Sequence, residues 1–208
     1  GGSAYVIEEW KDEVSAILHS FYSGMEGGNA LADILTGKEV PSGHLPFTIA
    51  EDENDYPKFL FPGDKTRVID YGYYHGYTLL DKEGKEPAFP FGFGLSYTEF
   101  EYSDIHAENK DDSIEVSLKI KNIGSFDGKT VVQVYAGADG DHPVKLLKGF
   151  RKINVPAGEE VEETVTVYKD DLKFYDEKSG EWYLENEYTF YVGQDSADAM
   201  NNKLTVSV

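Results

Sequence analysis

The sequence predicts an α/β unit followed by an all-β sandwich, and three observations carry that division. A short apolar run, a glycine turn, a helix and a second apolar run follow one another between Ala16 and Ile49. From Glu99 onward apolar and polar residues alternate with a period of two. Turn signals then separate about seven such runs within residues 99–208, the spacing of a β-sandwich. The change falls between Leu95 and Phe100, so residues 1–98 are expected to form the α/β unit and residues 99–208 the sandwich.

Each element has a local reason. Ala16-Ile17-Leu18-His19-Ser20-Phe21 reads as a strand buried on both faces, as in parallel sheets. Gly24-Met25-Glu26-Gly27-Gly28 makes the following turn, with Glu26 placed to cap or charge a helix start. Ala30, Leu31, Ile34 and Leu35 stand at helical spacing before Gly37, a C-terminal stop. Val40 to Gly43 turns the chain again, and Leu45 to Ile49 is expected to return as a strand. Tyr71, Tyr73, Tyr74, Tyr77, Phe89, Phe91, Phe93 and Tyr97, interleaved with glycines, read as a segment packed without regular structure. Beyond it, Ile114, Val116, Leu118 and Ile120 alternate with Glu115, Ser117, Lys119 and Lys121, the pattern of a half-buried antiparallel strand. Val131 to Tyr135, Val161 to Val167 and Tyr188 to Val192 repeat it, with turns at Asn122–Gly124, Pro156–Gly158 and Ser179–Gly180.

Composition removes several functions. The 208 residues contain no cysteine, which excludes disulfides and thiolate metal sites. The net charge of −20 is even, with 7 basic against 16 acidic residues in 1–98 and 12 against 23 in 99–208. Such a field repels phosphate backbones, so no nucleic-acid partner is expected. No apolar run approaches the ~20 residues needed to span a bilayer, and no leader pattern follows Gly1. No membrane partner is expected, and the compartment stays open.

Read alone, the residues nominate little chemistry. The five histidines include no HExxH pair, and Glu51–Asp55 and Asp139-Gly140-Asp141 lack the full calcium loop; both read as solvated loops. No Gly-x-Ser-x-Gly elbow is present. The Gly24–Gly28 turn could face an anion, but its spacing is that of neither phosphate-binding motif, and a tight turn is favoured. The aromatic stretch could stack on pyranose rings, although packing in the core or between domains is the favoured reading. A glycosidase needs two carboxylates about the scissile bond, and among 39 acidic residues the sequence nominates no pair.

Longer stretches carry a resemblance. WKDEVSAILHSFYSGMEGGNALADILTGKEVPSGHLPFTI, from Trp10 to Ile49, resembles the late part of the α/β-sandwich domain of glycoside hydrolase family 3, the β-glucosidase and β-xylosidase family. YGYYHGYTLLDKEGKEPAFPFGFGLSYTEF, from Tyr71 to Phe100, resembles the exit from that domain. VVQVYAGADGDHPVKLLKGFRKINVPAGEEVEETVTV and the later EWYLENEYTFYVGQDSADA resemble the family's fibronectin type III-like domain, an immunoglobulin-like sandwich.

The resemblance implies the C-terminal portion of a retaining exo-acting β-glycosidase: the second half of the α/β-sandwich domain with an aromatic, glycine-rich linker in 1–98, then the fibronectin-like sandwich in 99–208. The family's nucleophile is an Asp on a (β/α)8 barrel, and nothing here matches that barrel. Its acid/base Glu falls upstream of the matched segment, so no catalytic residue is carried over to this chain. Glu26 takes a structural place near the domain interface, and no metal or organic cofactor is implied. Tyr74 and Phe91 are the candidates for lining the rim of the substrate pocket. The expected partners are a carbohydrate reached through the parent enzyme, the barrel with the remaining α/β strands, and a companion chain or second copy covering the Ala16–Phe21 edge. A carbohydrate-binding module using Trp182, Tyr183 and Tyr191, or a purely structural or dimerisation module, are the alternative readings.

Overall fold

A computed structural model describes residues 5–57 and 72–208, so Tyr71 of the aromatic stretch lies outside the described residues. The first part holds helix α1 (Gly27–Leu35) and two short strands, β1 (Ile49–Ala50) and β2 (Pro87–Phe89), paired antiparallel, with helix α2 (Tyr77–Glu83) between them. The helix α1 forms where the spacing of Ala30, Leu31, Ile34 and Leu35 places it, and Gly37 follows at φ 73°. Among the described residues nothing covers its apolar side: none of its residues is buried, and Leu35 is 67% exposed.

Three expectations for this part are corrected. Ala16–Phe21 is not a strand: it runs without regular structure, with Ile17, Leu18 and Phe21 exposed, because no described strand lies beside it to pair with. The Leu45–Ile49 strand shrinks to β1, and Leu45 instead exchanges backbone bonds with the aromatic loop, from its N–H to the Phe93 carbonyl and from the Gly92 N–H to its own carbonyl, both 2.8 Å. The aromatic stretch is partly regular, since it contains α2 and β2. At the start of α2 the Thr78 hydroxyl donates to the His75 carbonyl at 2.8 Å, and Gly84 closes it in the left-handed conformation at φ 65°. Glu26 sits at the start of α1 but caps no backbone amide; its carboxylate accepts from Asn29 Nδ2 at 2.6 Å.

The second part is a two-sheet sandwich. One sheet has the order β3-β4-β7, from β3 (Phe100–Asn109), β4 (Ser113–Asn122) and β7 (Glu160–Tyr168). The other has the order β11-β10-β5-β6, from β5 (Gly128–Gly137), β6 (Leu146–Val155), β10 (Glu187–Gly193) and β11 (Lys203–Ser207). All neighbours are antiparallel. A single-turn helix, α3 (Lys169–Leu172), leads into a small hairpin of β8 (Phe174–Asp176) and β9 (Glu181–Tyr183). The alternation read in the sequence produces the core: Ile114, Val116, Leu118 and Ile120 of β4, with Val165 and Val167 of the adjacent β7, face Val132 and Val134 of β5 and Phe190 and Val192 of β10 in the other sheet, all buried.

Asn122, fully buried at the end of β4, ties the entrance of the sandwich together. Its Oδ1 accepts from the Thr98 hydroxyl at 2.6 Å and the Gly124 N–H at 3.1 Å, and its Nδ2 donates to the carbonyls of Phe126 and Val155 at 2.8 and 2.9 Å. Every polar atom of this buried amide is thus satisfied, which fixes the turn read at Asn122–Gly124. The outer strands β6 and β7 close no ladder with each other, and a cleft of about 460 Å³ lies along them, lined by Leu147, Phe150, Arg151, Thr164, Thr166 and Tyr168. Among the described residues no helix is long and apolar enough to cross a membrane.

Candidate functional site at the junction of the two parts

Strand β5 reads Val131-Val132-Gln133-Val134-Tyr135-Ala136, almost continuously apolar, because both of its faces are covered. Val132, Val134 and Ala136 enter the sandwich core, while Gln133 and Tyr135 turn outward and are also buried, Tyr135 among Tyr77 and Phe91 of the first part and Leu147, Tyr191 and Met200 of the sandwich. The Tyr135 hydroxyl donates to Gln133 Oε1 at 2.6 Å, and Gln133 Nε2 donates to the carbonyl of Gly92 at 3.1 Å and to that of Gln194. Gly92 has φ 83°, and its bare Cα lies flat against the Gln133 amide. Beside it, the Ser196 N–H donates to the Phe91 carbonyl at 2.9 Å.

Helix α2 makes the second arm of the joint. The ring of Tyr77 packs on Phe91 at 5.1 Å and edge-on to Tyr135 at 5.8 Å, and its hydroxyl accepts the N–H of Leu147 at 3.0 Å. One turn later Asp81 receives Lys145 Nζ on both carboxylate oxygens, at 2.7 and 2.6 Å. Lys145 stands in the loop before β6 and is only 1% exposed, with its ammonium 5.8 Å from the centre of the Tyr77 ring. Burial pushes the Asp81 carboxyl above the usual carboxylate range, against the opposing pull of Lys145. Burial likewise raises the phenols of Tyr77 and Tyr135, so both stay neutral.

A third set of contacts surrounds His44. Burial holds its imidazole below the usual histidine range; Lys152 adds to this, while the Ser42 backbone and Asp195 oppose it. Lys152 Nζ reaches back from β6 to the Ser42 carbonyl at 2.8 Å. Asp195 accepts from the backbone N–H groups of Ala197 and Asp198, each at 2.8 Å, yet burial still raises its carboxyl. The junction's two half-buried carboxylates are therefore both occupied, Asp81 by an ammonium and Asp195 by backbone amides. The arrangement holds two domains together and presents neither group for proton transfer.

The two rim candidates fall in different clusters. Phe91 is half-buried in the joint against Tyr77, whereas Tyr74 packs edge-on to Tyr73 at 5.1 Å under Lys82 Nζ, 3.7 Å from the ring centre. Of the three aromatics in the carbohydrate-binding alternative, Tyr191 is buried, while Trp182 is 65% exposed and Tyr183 borders the hairpin's inner side. Sequence reasoning missed Asp81, Gln133 and Lys145, whereas Tyr77 stood in the aromatic stretch read as packing in the core or between domains. The available signal was Gln133, a lone amide inside an apolar run, which marks a strand whose second face is covered by something polar.

Comparison with known proteins matches residues 1–97 to the glycosyl hydrolase family 3 C-terminal domain and residues 130–196 to the fibronectin type III-like domain. The chain is 41% identical over 199 residues to a thermostable beta-glucosidase B of Acetivibrio thermocellus, covering 91% of this chain and 26% of that protein. It is 40% identical over 205 residues to a beta-glucosidase of Kluyveromyces marxianus, covering 93% and 24%. The solved beta-glucosidase 3B of Thermotoga neapolitana, in complex with glucose, superposes with a TM-score of 0.90 at 38% identity, over 100% of this chain and 30% of that one. The chain thus spans about a quarter of the length of the curated relatives it matches.

Proposed function

Because the chain belongs to glycoside hydrolase family 3, we propose that it is the scaffold portion of a retaining exo-acting β-glycosidase that hydrolyses terminal β-D-glucosyl or related residues. Residues 1–98 form its share of the α/β-sandwich domain and residues 99–208 the fibronectin-like brace. The nucleophile and the acid/base are supplied by the barrel and the upstream α/β segment, and the sugar is bound there, with Tyr74 and Phe91 as this chain's contributions nearest the rim.

One observation carries this reading: an uncovered apolar face. Val14, Ile17, Leu18, Phe21 and Tyr22 of the extended segment, with Met25, Leu31 and Leu35 around α1, are all exposed. An apolar face of that extent suits a partner surface better than water. The relatives are named β-glucosidases, and the three quarters of their length beyond this match support the catalytic remainder of the same kind of enzyme as that partner.

The test is turnover of aryl β-glucosides by the chain alone and after co-expression with the barrel-bearing remainder of a matching β-glucosidase. No turnover alone and recovered turnover with the remainder is the expected result. Hydrolysis by the chain alone, above a mock purification, would overturn it by revealing a carboxylate pair within these residues.

A further inference from the structure

The joint between the two parts is polar at its centre, and that determines what it can do. A joint made only of apolar rings tolerates sliding, since hydrophobic attraction has no direction. Here, among the directional bonds that flank the Tyr77, Phe91 and Tyr135 rings, two are made from side chains buried in the sandwich: Lys145 to both oxygens of Asp81, and Gln133 to the Gly92 carbonyl. Lys145 belongs to the loop before β6 and Gln133 to β5, while Asp81 belongs to α2 and Gly92 to the aromatic loop. Each fastening therefore crosses the joint, and the two lie on separate elements at both ends.

Burying an ammonium and a carboxylate costs nearly what their attraction returns, so the pair adds little to the strength of docking. It penalises every other pose heavily, because a slid or rotated joint leaves Lys145 buried without its carboxylate. We propose that the Lys145–Asp81 pair is a registry latch: it selects a single orientation of the fibronectin-like sandwich on the α/β part and makes α2 open only when the pair is broken. The proposal concerns this chain's own two parts and stands whether or not the scaffold reading holds.

Hydrogen exchange on the 208-residue chain tests it, comparing amides of α2 and of Gly92 with those of β4. In the wild type, exchange at α2 is expected to be slow and cooperative. In Lys145→Met it should accelerate on the order of a hundredfold, the cost of a buried charge left alone, while β4 keeps its protection and shows that the sandwich is folded. The double variant Lys145→Met with Asp81→Leu, which removes both charges, should recover most of the loss. If Lys145→Met does not fold, Asp81→Asn gives the same comparison from the other side. Unchanged α2 exchange in the single variants would overturn the latch, and so would a double variant as open as the single one, since the pair would then act as ordinary attraction.

Discussion

Gly92 and Gln133 meet so closely that a Cβ built on the glycine would fall inside the glutamine amide. This is a contact between two parts of the chain 41 residues apart, and its tightness comes from the hydrogen bond that Gln133 Nε2 gives to the same glycine's carbonyl. Gly92→Ala meets two obstacles, the φ of 83° and the amide, and should cost about 2–4 kcal/mol of stability in urea unfolding. Combining it with Gln133→Ala removes the steric part, so the double variant should lose less than the two single losses summed. Strict additivity would show that the two residues do not press on each other.

Asn122 supplies a second check, on the sandwich itself. Replacing it with Leu strands the Thr98 hydroxyl, the Gly124 N–H and two carbonyls in a buried site, with an expected loss of about 3 kcal/mol. Thr98→Val removes one of those bonds and should cost about 1 kcal/mol. Thermal unfolding of the two variants side by side measures the ratio, and equal losses would mean that Asn122 does not organise the turn.

The hairpin β8–β9 has an inner and an outer side of unequal worth. Phe174 stacks on His142 at 3.7 Å and is buried, while its neighbour Tyr175 faces outward with Trp182 as its cross-strand partner at 5.3 Å. Phe174→Ala is expected to cost about 3–5 kcal/mol and Tyr175→Ala no more than ~1 kcal/mol. Denaturant midpoints distinguish them, and a larger loss for Tyr175→Ala would place the hairpin's weight on its outer face.

His44 gives the joint a pH dependence whose sign is fixed by burial. Its folded imidazole titrates below the unfolded one, so between those two values the unfolded chain binds more protons. Stability is then full above the ordinary histidine range, near pH 6.5, and declines as pH falls below it. Asp81 and Asp195 act oppositely and lower down: their raised carboxyls take up protons first in the folded state, which stabilises it as pH drops towards the carboxylate range. His44→Gln should flatten the slope of unfolding free energy between about pH 5 and 7. An unaltered slope would assign the pH dependence to other groups.

The exposed strip separates folding from docking. Ile17→Asp with Leu18→Asp touches residues already in contact with water, so the chain's own stability should change by less than about 0.5 kcal/mol. The same change should abolish recovery of glucosidase activity with the barrel-bearing remainder. Loss of folding in the chain alone would contradict the placement of this strip outside the core.

Much of the sandwich was legible because each strand there buries one face, and a period of two then appears directly as Ile114, Val116, Leu118 and Ile120 against their polar neighbours. The Ala16–Phe21 run misled for a physical reason: its composition reports a burial that needs strands these residues do not contain, so the signal of a buried strand survived without the strand. Helix α2 was obscured by tyrosines that pack against β5, even though Gly84 and Thr78 mark its ends. The joint itself was nearly silent, since Lys145 and Asp81 are 64 residues apart and each looks like one more surface charge in a chain full of them.

The cleft along β6 and β7 exposes two strand edges whose charges are opposite. β6 carries Lys148, Arg151 and Lys152 and no acid, whereas β7 carries Glu160, Glu162 and Glu163 and no base. Free edges invite another chain to add a strand, but zipping β6 to β6 or β7 to β7 of a second copy would set like charges face to face. Within the chain Arg151 Nε already pairs with a Glu163 carboxylate oxygen at 3.2 Å across the cleft, and a β6-to-β7 match between copies runs head to tail, so it extends without closing into a pair. Salt screens charge beyond about 10 Å at 0.1 M, so raising the ionic strength weakens the repulsion that blocks the like pairings.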